Sequence, residues 1–361
     1  MPQNQANRSS VRFLRNAWYL AGYSEELDEH SFIARKILSQ PLLIFRNEDG
    51  QTSAILDRCP HRLVPLHLGH VCEGRVTCGY HGIAFDGQGR CVHNPHGSTA
   101  GLSVPHFEME EAQGLLWVWM GEPERADRGL LPAFDAIDEA AFFVKRGYLH
   151  GRANYELMTD NILDLSHIEF LHPALGTEAV SKAHVDVRQQ EEQIVTTRRM
   201  RDELLPEGLA YVYRSDKQRV NRTMEVTWRA PATMILNVTV EPADEAQNWR
   251  TSTQSLHIFT PETETSTHYF YVGSMPHETS DAETFYRFAA ALGAAFANED
   301  KPMIDAQAEL LGDREIMECQ PKLLGIDKAG VLARRKLAAM IEAEGEPNGS
   351  ENADKNNREG V

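Results

Sequence analysis

Residues 59–91 read CPHRLVPLHLGHVCEGRVTCGYHGIAFDGQGRC. Two short loops in this stretch each offer one thiolate and one imidazole: Cys59-Pro60-His61 and Cys78-Gly79-Tyr80-His81, with sixteen residues between the pairs. A tetrahedral zinc ion would accept two of each. So would a 2Fe–2S cluster in which two histidines replace two cysteines on one iron. In typical zinc fingers the cysteines share a loop and the histidines sit close on a helix. Here each loop carries one of each and neither reads as helical. That pattern favours two prongs gripping a binuclear cluster.

Strand signals surround the loops. ILSQPLLIFRNEDGQTSAILD reads as two strands around an Asp49-Gly50 turn, HGIAFDGQGRCV as a hairpin turning at Asp86-Gly87, and GLLWVWMG as a short buried strand. The polar stretch 124–138, with Pro132, reads as a connection. Beyond it, ANYELMTDNILDLSHIEFLH has helical period. VDVRQQEEQIVTTRRM, RVNRTMEVTWRAPATMILNVTVEP and STQSLHIFTPETETSTHYFYVGSM alternate like antiparallel strands. DAETFYRFAAALGAAFANEDKPMIDAQAELLGD is helical with an interruption near Pro302, and GVLARRKLAAMIEAE is a closing helix. The fold class is α+β: an all-β cluster domain over 16–123, then a catalytic domain with helices around an antiparallel sheet over 124–344. Residues 1–15 and 345–361 are read as disordered ends.

A cluster that moves single electrons needs a destination. The segment from Asp160 to His172 offers Asn161, Asp164, His167 and His172. Two histidines and a carboxylate make the facial triad of non-haem iron, with open positions left for O2. His167 and His172 are five residues apart, about 140° of rotation on an ideal helix. Both reach one metal only if the helix distorts or ends there, and Pro173 is consistent with an ending. Alone, the pair fits ordinary helix-face histidines as well as ligands; the cluster motif tips the balance. The third ligand must come from far along the chain. Glu299, Asp300, Asp305 and Glu309 are the acidic candidates in the late helix, and composition does not choose among them.

The cluster segment resembles the Rieske motif of ring-hydroxylating and demethylating oxygenases, including Arg62, Gly69, CGYHG, Phe85 and Gly87. Rieske proteins of respiratory complexes carry an additional disulfide-forming cysteine in each loop. Gly79 and Tyr80 leave no such cysteine here, so the resemblance is to the oxygenase branch. Residues 161–172 resemble the N-x-x-D-x-x-H-x4-H motif of that family's catalytic domains. FANEDKPMIDAQ resembles the stretch that holds the carboxylate ligand in the vanillate O-demethylase and dicamba monooxygenase group. NAWYLAG, LLWVWMG, TPETETSTHYF and GIDKAGVLARRKL extend the likeness from about Asn16 to Glu344.

The resemblance implies a helix-grip-like catalytic domain with His167, His172 and Asp300 as ligands of a mononuclear iron, Asp305 being the reserve. It implies Cys59, His61, Cys78 and His81 as cluster ligands. It makes Asp164 a bridge to a cluster histidine across a subunit boundary, Asn161 a residue near the iron, and Asn237 and His257 substrate contacts. It further implies a homotrimer that uses O2 and removes an O- or N-alkyl group from an aromatic compound with aldehyde release.

No G-x-G-x-x-G follows a strand, so NAD(P)H electrons should arrive through a separate reductase or ferredoxin. The formal net charge of −17 excludes nucleic acid or an anionic membrane as a partner drawn by bulk field. Five cysteines, four of them between 59 and 91, do not read as a disulfide framework. With neither a signal-peptide pattern nor a spanning apolar run, the chain reads as cytoplasmic. Cys72 and Cys91 read as buried structural thiols; His67, His70, His93 and His96 lack pair spacing. Three other functions stay open: a cis-dihydroxylating ring dioxygenase, whose chains are commonly larger; a Rieske electron carrier, which needs only about 100 residues; and a zinc-binding interaction module.

Overall fold

A computed structural model of the chain describes residues 13–345. The catalytic half is built on one seven-stranded antiparallel sheet. Its order is Phe142–Gly151, Ser266–Pro276, Thr251–Thr263, Thr233–Pro242, Arg219–Arg229, Gln193–Leu204 and His184–Gln190. The segments read from alternation as antiparallel strands form strands of this sheet. Arg219–Arg229 shows why: Val220, Arg222, Met224, Val226 and Trp228 are buried and the residues between them are not. A period of two puts one face of such a strand inward. Helices Tyr155–Leu163, Ala282–Ala295, Lys301–Leu311 and Lys328–Gly345 accompany this sheet.

The N-terminal half is all β. Trp18–Tyr23 pairs with Leu115–Trp119, which also pairs with Met109–Ala112. A second sheet holds Phe32–Ile37, Gln40–Arg46, Thr52–Leu56 and His106–Phe107. A small third sheet holds His70–Cys72, Arg75–Thr77, Ala84–Phe85 and Cys91–His93. Leu115–Trp119 is buried at every position, as its unbroken apolar run requires.

The two halves share a core. Trp18, Trp117 and Trp119 pack with Phe134, Ile137, Leu256, Ile258 and Phe270. The stretch read as a polar connection is therefore partly packed: it forms three short 3-10 turns and buries Phe134 and Ile137. The N-terminal expectation needs one correction. Residues 1–12 lie outside the described residues, as do 346–361, but Phe13 and Leu14 are buried in the main core. The amides of Arg15 and Asn16 donate to the two carboxylate oxygens of Glu344, at 2.7 Å each.

Candidate functional site

The two cysteine loops fold alike. The amide of Cys59 donates to Val64 O and the amide of Leu63 to Cys59 O; Cys78 with Ile83, and Gly82 with Cys78, repeat both bonds. The fourth residue after each cysteine has positive φ, 61° at Leu63 and 71° at Gly82. Amides of His61 and Arg62 point at the Cys59 sulfur, which suits a thiolate, while burial pushes its pKa up. Gly69 and Gly79 let the loops meet: a Cβ at Gly69 would lie 1.9 Å from Thr77 O, and one at Gly79 2.6 Å from Leu68 O. Both cysteines are 1% exposed, and the rings of His61 and His81 lie 4.5 Å apart by centroid.

This geometry separates the two metals the sequence left open. Zinc bonds of about 2.0–2.3 Å hold four donors within about 4 Å of one another. No three of these four donors come within 4.8 Å of one another; among the described residues only His167, His172 and Asp300 do so. The thiols pair with each other and the imidazoles with each other, an arrangement that fits a binuclear cluster. Cys72 and Cys91 are free thiols, but neither is buried as expected: Cys72 is exposed and Cys91 half-buried.

The second site forms where one helix breaks. Tyr155–Leu163 stops at Asp164, whose φ and ψ are −118° and 99°. A 3-10 turn, Leu165–His167, and a short helix, Ile168–Leu171, follow, and His172 is again non-helical. The break brings the two imidazoles together, centroids 5.3 Å apart, where a regular helix would spread them. Asp300 arrives from a different kind of irregularity. Phe296–Asp300 is a π-helical turn ahead of Lys301–Leu311, so the interruption falls before Pro302 and aims Asp300 inward.

Asp300 Oδ1 lies 3.3 Å from His167 Nε2, and Oδ2 lies 3.1 Å from His172 Nε2. Each Nδ1 is tied elsewhere: His167 to the carbonyl oxygen of Asp164 at 2.7 Å, and His172 to the carboxylate of Glu299. With Nδ1 engaged, the neutral ring presents Nε2 as its free donor atom, the pattern around metal-bound histidine. Asn161 Nδ2 donates to Asp300 Oδ1 at 3.0 Å, and its buried Oδ1 has no partner among the described residues. Burial raises the Asp300 pKa, but its close contacts with His167, His172 and Asn161 outweigh it and hold the carboxyl well below the usual range. The donor set thus fits a divalent cation.

The Asp164 carboxylate accepts from Arg198 Nη2 at 3.1 Å, Ser166 N at 3.0 Å and Ser166 Oγ at 2.7 Å. Asp305 lies away from the site: it receives the Arg152 amide and pairs with Lys301 in a separate polar groove.

Next to the three donors is a cavity of about 160 Å³. His257 lines it, stacked on Tyr269, with Nδ1 on the Tyr269 hydroxyl and Nε2 on Ser255 Oγ. Burial drives its pKa down to about 4, so it is neutral at pH 7. The expectation for Asn237 is overturned. Leu236 and Val238 line the cavity, so the period of two turns Asn237 to the opposite face, where its Oδ1 accepts from Gln254.

Residues 152–343 match the family described as vanillate O-demethylase oxygenase C-terminal domain, and residues 17–108 match the Rieske 2Fe–2S domain. The chain is 33% identical to the oxygenase component of dicamba O-demethylase from Stenotrophomonas maltophilia, over 92% of this chain and 99% of that one. It is 34% identical to the oxygenase component of chloroacetanilide N-alkylformylase from Rhizorhabdus wittichii, over 93% and 97%. Crystalline dicamba monooxygenase with 3,6-dichlorosalicylic acid superposes with a TM-score of 0.84 at 32% identity, covering 92% of this chain and 98% of that one.

Proposed function

The chain belongs to the Rieske oxygenase components that carry the vanillate O-demethylase type of catalytic domain, and from that premise we propose that it removes an O- or N-alkyl group from an aromatic compound, releasing an aldehyde. The observation that carries this reading is the His167–His172–Asp300 group opening onto a cavity lined mainly by apolar side chains. Cys59, His61, Cys78 and His81 would hold the 2Fe–2S cluster and His167, His172 and Asp300 the mononuclear iron. When bound, these groups supply stepwise reduction and activation of O2.

The chain's own residues do the rest. Asp164 O and Glu299 fix the imidazole tautomers and ring orientations. Asn161 steadies one oxygen of Asp300. Leu236, Val238 and Phe285 give the cavity apolar walls, and buried His257 stays neutral beside them.

The active assembly proposed is a homotrimer in which the Asp164 carboxylate links one subunit's iron to the next subunit's cluster. Exposed apolar side chains beside both sites support it: Leu63, Leu68 and Tyr80 around the cluster loops, Phe170 between the two histidines. A separate reductase or ferredoxin supplies the electrons. Among the described residues no helix is long and apolar enough to cross a membrane; a cytoplasmic location accords with the acidic composition and belongs to the same proposal.

The test is a panel of methoxybenzoates, methoxybenzamides, phenoxyacids and N-alkyl anilides with a surrogate reductase. Aldehyde release matched to O2 uptake is the expected result. A cis-diol product, or O2 uptake without aldehyde from every compound, would overturn the dealkylation reading.

A further inference from the structure

The charges around the cavity, and one phenol inside it, say which aromatic compounds fit. Three charged groups line it beyond the histidines: Asp300, Arg222 and Lys145. Of the two cations at the cavity Arg222 is the buried one, and its charge is already matched by Glu203. Its Nε and Nη2 donate to the two oxygens of buried Glu203 at 3.0 and 2.7 Å, and its Nη1 donates to Leu175 O at 2.9 Å. Lys145 is exposed at the rim, where water screens it. At the metal end two carboxylates, Asp300 and Glu299, already match the charge of a divalent ion. A carboxylate substrate would enter with no free buried counter-charge, and an unpaired buried charge is costly.

Tyr271 supplies the opposite feature. Its side chain lines the cavity, and its hydroxyl makes no hydrogen bond among the described residues. The fold makes room for it. Gly147 faces Tyr271 across the ladder, and a Cβ there would lie 2.1 Å from Tyr271 Cζ; a Cβ at Gly293 would lie 2.9 Å from the hydroxyl. Tyr269, the other tyrosine on this face of the strand, is already bonded to His257. Tyr271 thus holds at the cavity a half-buried hydroxyl that no protein group among the described residues occupies.

We infer that the cavity takes an uncharged aromatic substrate whose carbonyl or ether oxygen accepts a hydrogen bond from the Tyr271 hydroxyl. This rests on the oxygenase reading above and narrows its substrate class. The test uses holoenzyme and two matched pairs: 2-methoxybenzamide with 2-methoxybenzoate, and N-ethylacetanilide with its ring carboxylate. Binding is read by calorimetry and turnover by aldehyde release.

The neutral member of each pair should bind at least about tenfold tighter. Tyr271→Phe keeps the ring over Gly147. It should weaken neutral binding and raise KM about tenfold, the worth of one hydrogen bond, with iron content unchanged and kcat changed less than KM. Glu203→Gln frees Arg222 and should move the preference toward the carboxylate. If that variant does not fold, the wild-type pairs and Tyr271→Phe still decide. Carboxylates that bind as tightly as their neutral partners, or no binding by either neutral compound, would overturn the inference, as would an unaltered Tyr271→Phe. Failure of the oxygenase reading looks different: neutral compounds bind and no aldehyde appears.

Discussion

His167 and His172 each spend Nδ1 on an acceptor and turn Nε2 toward Asp300, so single substitutions should separate holding the metal from using it. Glu299→Gln removes the charged acceptor behind His172 and should weaken Fe(II) binding about 10- to 100-fold in a metal titration. An unchanged affinity would make Glu299 a bystander. Asp164→Asn keeps the backbone carbonyl that holds His167. It should retain full iron content yet lose turnover by a similar factor, about 10- to 100-fold. Unchanged NAD(P)H-coupled activity would sink the bridge role of the carboxylate. The ligand types were legible because they cluster locally: two Cys–His pairs, then two histidines five residues apart. Their supports were not legible. Arg198 reaches Asp164, Glu299 reaches His172, and Glu203 neutralises Arg222, all across strand or helix pairings that one sequence does not reveal. Asn237 was misplaced for a related reason: in a strand, one residue of offset moves a side chain to the other face.

The irregular elements position the chemistry. A regular helix through 155–172 would spread the histidines, and an unbroken α-helix through 296–300 would aim Asp300 elsewhere. Pro302 marked the second region, but the widened turn lies just before it, a displacement that side-chain pattern does not encode. Contacts between elements also tie the two halves together. Leu38 N and Ser39 N donate to Pro261 O and Glu262 O, and Arg35 lies 5.3 Å from the ring centres of both Tyr148 and Phe270. Buried His268 bonds Tyr148 through Nδ1 and Lys36 O through Nε2, at 2.9 Å each. Burial chiefly, with Arg35 nearby, drives its pKa from 6.5 down to about 4. The unfolded chain therefore binds the proton more readily than the folded one. The contribution is complete above pH 6.5 and is lost as pH falls toward 4, on the order of 3 kcal/mol. Denaturant titrations at pH 7, 5.5 and 4 should show that loss, and His268→Gln should show less of it. Parallel curves for the two proteins would contradict the assignment.

At the scale of the molecule, the order of elements was readable because alternation, turns and helix period agree along the chain. Five long strands after Gln193 follow the alternating segments closely. Less readable was how far the halves interpenetrate, since the shared tryptophan core joins strands far apart in sequence. The whole account depends on one architecture: a cluster held by Cys59, His61, Cys78 and His81 delivering electrons to an iron held by His167, His172 and Asp300. Iron quantitation together with paramagnetic resonance of the dithionite-reduced protein tests it directly, comparing wild type with His167→Ala. The account predicts about three irons per wild-type chain and about two in the variant, with the same rhombic cluster signal in both. Equal iron in the two proteins, or loss of the cluster signal in His167→Ala, would contradict it.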